Sequence, residues 1–376
     1  MKTPLAWHNL LLDKVRTAVA IAGVAFAVVL ILMQLGFYGA VLQTATLIYD
    51  RLRFDLLLCS PSYLHLSKSG TISRNRLSQA ESLPEIEAAD PLYIGFNLWR
   101  NVDTGRRRGI MVLAIDPQQP VLKLAELSEL SPLLTQPDAA LLDRRSRPEF
   151  GPQEVGLVTD VGNRRVRVVG QFTMGTGFGA DGAILVSERT FWNLFPTRKT
   201  DQVSLGLVTL KPGSNPQQVA AQLRKLLPPD VNVLTREEIS AYERRHWTTK
   251  TSVGMIFGMG VVVAIIVGIA IVYQVLSSDI ANRLGEYATL KAIGYTNAYL
   301  ASVVLQQAVL LAILGFLPGL GLSLLLYQLT QFAAHVPMDM ATSRAITVGG
   351  LSVLMCSLAA VAALRKVYTA DPADLF

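Results

Sequence analysis

The residues best placed to do chemistry in this chain lie in one short polar link, Asp279–Gly294, set between two long apolar stretches. Within it Ile280, Leu284, Tyr287 and Lys291 recur at i, i+4, i+7 and i+11, a spacing that lines one side of a helix. Arg283 and Glu286 form a charged edge, and Gly294 is a natural helix stop. This is the chemistry of recognition. Arg283 and Glu286 can make charge-assisted contacts while Leu284 and Tyr287 fill an apolar groove on a partner. A solvated turn can carry the same pattern, so the link alone does not decide.

Bond-breaking chemistry has little to stand on. The chain contains no G-x-x-x-x-G-K-[ST] loop and no G-x-S-x-G elbow. The glycine-rich run Gly175–Gly182 joins strand to strand with no Lys-Ser/Thr after it, so it reads as a turn. Cys59 and Cys356 fall in different regions, giving neither a disulfide framework nor a metal spacing, and His8, His65, His246 and His335 are scattered. No catalytic residue, metal site or bound cofactor is expected. The net charge of +6 is diluted over the chain, and Asp50–Lys250 holds 26 basic against 22 acidic residues, so a nucleic-acid surface is not indicated. Arg106-Arg107-Arg108 and Arg144-Arg145 read as solvated loop charge.

Four uncharged apolar stretches must position the link: 18–47, 251–278, 299–330 and 346–364. A bilayer core of ~30 Å needs about 20 helical residues, and each stretch supplies them. Helices satisfy their own backbone in lipid, so the expected fold is an α-helical membrane protein with four transmembrane helices, one plus three. A large α/β domain at 50–250 is inserted between helices 1 and 2. The first stretch is about twice the length of a signal-peptide core, so it is expected to be a retained anchor. Lys2, Lys14, Arg16, Arg283, Lys291, Arg365 and Lys366 fall in one set of short segments, against Arg344 alone in the other. The positive-inside rule then places both termini and 279–295 in the cytoplasm. Residues 50–250 and the loop 331–345 are expected outside, with 365–376 as a cytoplasmic tail.

Within 50–250, hairpins are expected around Asp103-Thr104-Gly105 and Gly162-Asn163. A further strand at Ala183–Ser187 leads into a short helix. Asn215 caps a helix with Val219, Leu223 and Leu226 at helical spacing, followed by a strand at Val231–Leu234, and the region has room for two subdomains. At the borders, Thr3-Pro4 opens an amphipathic helix over residues 1–17, with Trp7, Leu10, Leu11 and Val15 clustered. Thr235 and Glu238 form a capping box at the start of a stalk over 235–250. If that helix continues to Leu276, it makes a rod of roughly 60 Å. Gly254-x-x-x-Gly258 and Gly260 permit close helix approach, within one subunit or across a dimer.

Arg283-Leu284-Gly285-Glu286-x₄-Lys291-Ala292-Ile293-Gly294 resembles the E-R-x-x-E-I-G-x-x-R-A-x-G element of FtsX/MacB-type ABC transporter permeases. The opening Trp7-His8-Asn9-Leu10 with Lys14, Arg16, Thr17 and Gly23, and the closing Ala370-Asp371-Pro372-Ala373-Asp374-Leu375, are similar to the ends of that family. The nearest likeness is to DevC-type permeases of cyanobacterial exporters. Asn282 stands where an acidic residue is usual, and Lys291 where Arg is frequent. The resemblance implies a homodimeric permease in the bacterial inner membrane, with a periplasmic domain and two copies of a separate ATPase that bind ATP and Mg. It also implies a periplasmic membrane-fusion adaptor, a TolC-like outer-membrane channel and export of glycolipid. Ile280, Arg283, Leu284, Gly285, Glu286, Tyr287, Leu290, Lys291 and Gly294 would form the ATPase-coupling helix. An FtsX-like relay that activates a cell-wall hydrolase and a lipoprotein-release permease are the alternatives of the same fold. A membrane-tethered periplasmic enzyme is the alternative of a different class.

Overall fold

The computed structural model describes residues 14–119, 121–175, 181–282, 285, 286, 289, 293–334 and 336–369. The interfacial helix expected over the first residues falls at 1–13 outside that set, as does the tail at 370–376. The chain divides into two compact units. One comprises Val41–Thr251 with His335–Pro337; the other comprises Met1–Ala40, Ser252–Ala334 and Met338–Phe376.

Helix α1 (Lys14–Arg51) brings the chain into the first unit, the lobe. Strands β1 (Leu56–Cys59), β2 (Ile72–Ser73), helix α2 (Asn75–Ala80), β3 (Ile86–Arg100) and β4 (Arg107–Ile115) follow. Next come α3 (Leu127–Leu130), β5 (Ala139–Asp143), β6 (Val158–Val161), β7 (Arg164–Phe172), β8 (Ala183–Ser187) and α4 (Glu188–Leu194). The lobe closes with β9 (Gln202–Val203), β10 (Leu205–Leu210), α5 (Pro216–Leu226), β11 (Asn232–Thr235) and α6 (Arg236–Thr249). Nine strands form one sheet in the order β11-β1-β10-β3-β4-β8-β5-β7-β6.

The long strand β3 joins two halves of that sheet. From Ile86 to Leu92 it pairs with β10, and from Tyr93 to Arg100 it pairs with β4. A bridge between Trp99 and Val161 returns β6 to β3, closing the second half on itself. Trp99 fills that interior, and its indole N–H donates to the Phe150 carbonyl at 3.0 Å. Alternation along the strands feeds two separate cores. Leu56, Leu58, Val112 and Val186 enter one; Leu57, Leu113, Leu185 and Leu207 enter the other. A sheet covered on both faces reads as continuous apolar runs, as β1, β5 and β8 do.

Local signals set the helix boundaries. Asn215 accepts from the Gln217 and Gln218 amides at 3.0 and 3.3 Å, with Pro216 in the first turn. The inward face of α5 is Val219, Ala220 and Leu223, while Leu226 is exposed, which corrects the spacing read from sequence. The capping box is present, with the Glu238 amide 3.2 Å from Thr235 Oγ1 and the Thr235 amide 2.8 Å from Glu238 Oε2. The expected continuous rod is not. Helix α6 ends at Thr249, Lys250 and Thr251 leave helical geometry, and a new helix starts at Ser252. The hydroxyls of Thr248, Thr249 and Thr251 bond back to the carbonyls of Arg244, Arg245 and Trp247 at 2.9, 2.7 and 2.6 Å. Such back-bonding competes with the helical ladder and bends it.

The second unit contains the first part of α1 and three further helices: α7 (Ser252–Asn282), α8 (Asn297–Ala334) and α9 (Thr342–Thr369). All four are long and apolar enough to cross a membrane; α1, α8 and α9 run past the expected span at both ends, and α7 at its C-terminal end alone. Helix α9 packs against both α7 and α8. The close approach is made by a pair that sequence reading passed over, Gly315 and Gly319, four apart on α8. A Cβ on Gly315 would sit 2.5 Å from Val24 Cβ, and one on Gly319 would sit 2.9 Å from Val28 Cβ.

Candidate functional site

The link between α7 and α8 is reached by a buried root. Ile280 is 1% exposed and joins the apolar core of Ala264, Val272 and Leu276 on its own helix and of Leu300 and Val304 on α8. It therefore anchors the start of the link in the apolar core. Beyond it Gly285, Glu286 and Thr289 are helical and exposed. Thr289 Oγ1 donates to the Gly285 carbonyl at 2.8 Å, and the Ile293 amide to the Thr289 carbonyl at 3.0 Å. Gly294 has φ +101°, a left-handed conformation that ends a helix and that glycine adopts without strain. Arg283, Leu284, Tyr287, Leu290 and Lys291 lie outside the described residues.

Just before the stop Ile293 is 71% exposed, and just after it Tyr295 and Tyr299 are exposed with ring centroids 4.8 Å apart. Ile293 belongs to the motif, whereas Tyr295 and Tyr299 lie beyond it and sequence reading missed them. The signal was available: Tyr295 and Tyr299 are four apart across the start of α8. The arrangement offers an exposed helical turn with a carboxylate, flanked by apolar and aromatic groups. Among the described residues of the link no nucleophile sits beside a base.

The three glycines on α7 separate. Gly254 is buried, and Gly260 lies against Gln34, whose Cδ would be 2.5 Å from a Cβ there. Gly258 is exposed, with no atom within 4 Å of where a Cβ would stand. It lies among the outward Met255, Met259 and Val262.

Other sequence candidates resolve without yielding an active site. Among the described residues no group of three or more His, Cys, Asp or Glu side chains is arranged to hold a metal. Cys59 and Cys356 are buried and free, and burial pushes the Cys59 thiol up to about 12, leaving it unreactive. Arg108 is committed to Asp181 at 3.0 and 2.7 Å, so it is structural. The glycine-rich run does connect β7 to β8, although 176–180 lie outside the described residues. Its start is held by Asp143, whose carboxylate accepts from the Met174 and Gly175 amides at 3.2 and 2.9 Å. The histidines, scattered in sequence, are not all scattered in space. His65 and His246 stack with ring centroids 5.0 Å apart, beside Trp247.

Comparisons with known proteins agree with this organisation. Residues 17–226 match the MacB-like periplasmic core domain family, and residues 258–372 match the FtsX-like permease C-terminal family. An uncharacterized ABC transporter permease of Mycobacterium bovis is 37% identical over 117 residues, which are 31% of this chain and 31% of that protein. Mycobacterium tuberculosis has an uncharacterized ABC transporter permease with the same identity and coverage. The match thus spans about a third of the length of these relatives. Among solved structures, the periplasmic region of MacB from Actinobacillus actinomycetemcomitans aligns with a TM-score of 0.37 at 13% identity, over 52% of this chain and 94% of that one. The extracellular domain of the noncanonic ABC-type transporter YknZ from Gram-positive bacteria aligns at 0.35 and 12%, over 49% and 100%. With the larger family match covering more than half of its length, and one apolar helix before and three after an α/β lobe in chain order, this chain belongs to the FtsX/MacB-type ABC transporter permeases.

Proposed function

We propose that this permease converts ATP hydrolysis by a separate ATPase into motion of its lobe, and that this motion drives export. The observation that carries the reading is the exposed helical turn at Gly285–Glu286, rooted by buried Ile280 and stopped at Gly294, between two membrane helices. The spans carry no Asp, Glu, Lys or Arg between Thr17 and Tyr49, Ser252 and Ser278, Asn297 and Ala334, or Ala345 and Leu364. An ion or proton pathway is normally lined by such residues, so mechanical coupling is the better account. In this reading two copies of the chain join two ATPase subunits in the inner membrane, with both termini and the link cytoplasmic. ATP and Mg stay on the ATPase. A membrane-fusion adaptor and a TolC-like channel carry the cargo onward, and glycolipid is the cargo that the DevC likeness favours.

The test is Glu286→Lys in the permease reconstituted with its ATPase. The reversed charge is expected to abolish transport and remove the permease's influence on ATP turnover, while the chain stays in the membrane. Wild-type transport would overturn the assignment. Coupled turnover without export, together with co-purification of a cell-wall hydrolase, would point to the relay. Release of lipoproteins would point to the lipoprotein-release permease, and turnover of a substrate by the lobe to the tethered enzyme.

A further inference from the structure

One buried carboxyl gathers three segments that are far apart in the sequence. Glu243 on α6 is 0% exposed. Its Oε1 accepts from the Tyr63 hydroxyl, from the Tyr49 hydroxyl at 3.1 Å and from the Leu66 amide at 3.0 Å. The two hydroxyl oxygens are also in contact, and with one proton apiece each hydroxyl donates either to the other or to Oε1, not to both at once. Tyr49 is on the last turns of α1, and Tyr63 and Leu66 are on the loop after β1. The same loop touches α6 twice more: Tyr242 donates to the Tyr63 carbonyl at 3.1 Å, and His65 stacks on His246.

A second fastening lies one helix start away. Arg236, the first residue of α6, donates to the Tyr49, Leu52 and Phe54 carbonyls at 2.6, 2.8 and 2.6 Å. Its guanidinium also sits 4.0 Å from the Phe54 ring centroid. One carbonyl of the last turn of α1, that of Tyr49, and two of the segment just after it are thus bound by a cation from another element, at the end where the helix dipole is negative.

We propose that Glu243, with Tyr49, Tyr63 and Arg236, is a mechanical joint that makes the end of α1 and the helix α6 move as one piece. The proposal rests on the coupling reading above. Helix α1 carries the chain from the first span into the lobe, and α6 carries it out toward the second. Displacement of either span reaches the lobe through these two connections. Apolar packing alone would let them slide, because it is not directional. Directed hydrogen bonds to one buried acceptor fix their register, as buried polar groups do in other packed helices. Burial also holds the Glu243 carboxyl above the usual carboxylate range, a tension that a simple surface link would not carry. Loss of the acceptor leaves the Leu66 amide and one tyrosine hydroxyl without it together, so the joint fails as a unit.

The experiment places nitroxide labels at Gln43 on α1 and Arg245 on α6, both exposed, in the nucleotide-free full-length permease; both native cysteines are buried. The wild type is expected to give one narrow distance distribution. Glu243→Ala is expected to lose the narrow peak, and Glu243→Gln, which keeps an acceptor oxygen, to restore it. Should Glu243→Ala fail to fold, the double variant Tyr49→Phe/Tyr63→Phe reads the same joint and is expected to broaden. A wild-type distribution in Glu243→Ala or in the tyrosine pair overturns the proposal, as does a Gln variant as broad as Ala. No nucleotide or ATPase is involved, so a failure of the coupling reading at Glu286 leaves this outcome separately readable.

Discussion

The lobe and the membrane unit solve the same packing problem with opposite materials. In the lobe, large side chains interdigitate on both faces of one sheet, and buried polar groups such as Glu243 and Asp143 gather hydrogen bonds. In the membrane unit, helices approach through glycines, and large apolar side chains such as Met255, Met259 and Ile266 point outward. Water rewards burial of apolar area, whereas lipid offers no such reward and leaves close backbone packing to do the work. The difference teaches where each region is vulnerable. The lobe breaks by cavities and stranded polar groups, the membrane unit by added bulk.

The largest effect should come from adding bulk where α8 lies against α1. Gly319→Leu drives a side chain into Val28, and overpacking of this kind costs about 1–3 kcal/mol or more. A lower thermal midpoint of the full chain in detergent would confirm it, and an unchanged one would show that α1 and α8 do not need this contact.

A change of pH should act on the lobe instead, with two opposing signs. The Glu243 carboxyl is raised above 4.5 by burial, so its contribution is full below that value and is lost as pH rises through its folded value. His65 is lowered from 6.5 by burial and by His246 and Lys68; His246 is lowered by burial and by Lys250. Their contribution is full above 6.5 and is lost as pH falls through the lowered values. Glu243→Gln is therefore expected to raise the thermal midpoint at neutral pH and to converge with the wild type toward pH 4.5. Replacing both histidines by Gln is expected to flatten the loss below pH 6.5. Parallel curves for variant and wild type would contradict both.

The smallest effect is expected at Gly258. With nothing within 4 Å of its Cβ position, Gly258→Leu should change stability by no more than about 0.5 kcal/mol. Cross-linking between copies is then the informative reading. A loss there would make this face of α7 a subunit contact, and no change would leave it to lipid.

These contrasts also show what a linear reading could reach. The spans, the two hairpins, the Asn215 cap and the Thr235–Glu238 box were legible because their causes lie within a few residues. The strand β5 was not. Its Ala139-Ala140-Leu141-Leu142-Asp143 holds none of the β-branched residues that made the equally buried Ala183–Ser187 readable. The break at Lys250–Thr251 came from threonine hydroxyls turning back on the helix, which propensity alone does not settle. Gly315 and Gly319 share the spacing of Gly254 and Gly258 but were passed over; only Val24 and Val28 beside them mark them as a contact. The Glu243 joint joins Tyr49, Tyr63 and a helix nearly two hundred residues later, so no local pattern announces it. Of the link, the buried root and the glycine stop are fixed by the structure, and the exposed tyrosines beside it enlarge what the motif suggested.

Everything proposed for this permease requires that the link and the lobe face opposite sides of one membrane. Single cysteines at Glu286 and at exposed Gln218, probed with a membrane-impermeant maleimide in intact spheroplasts, test that directly. Labelling of Gln218→Cys in intact cells, with Glu286→Cys labelled only after permeabilisation, is the predicted result. Labelling of both positions from the same side would contradict the account.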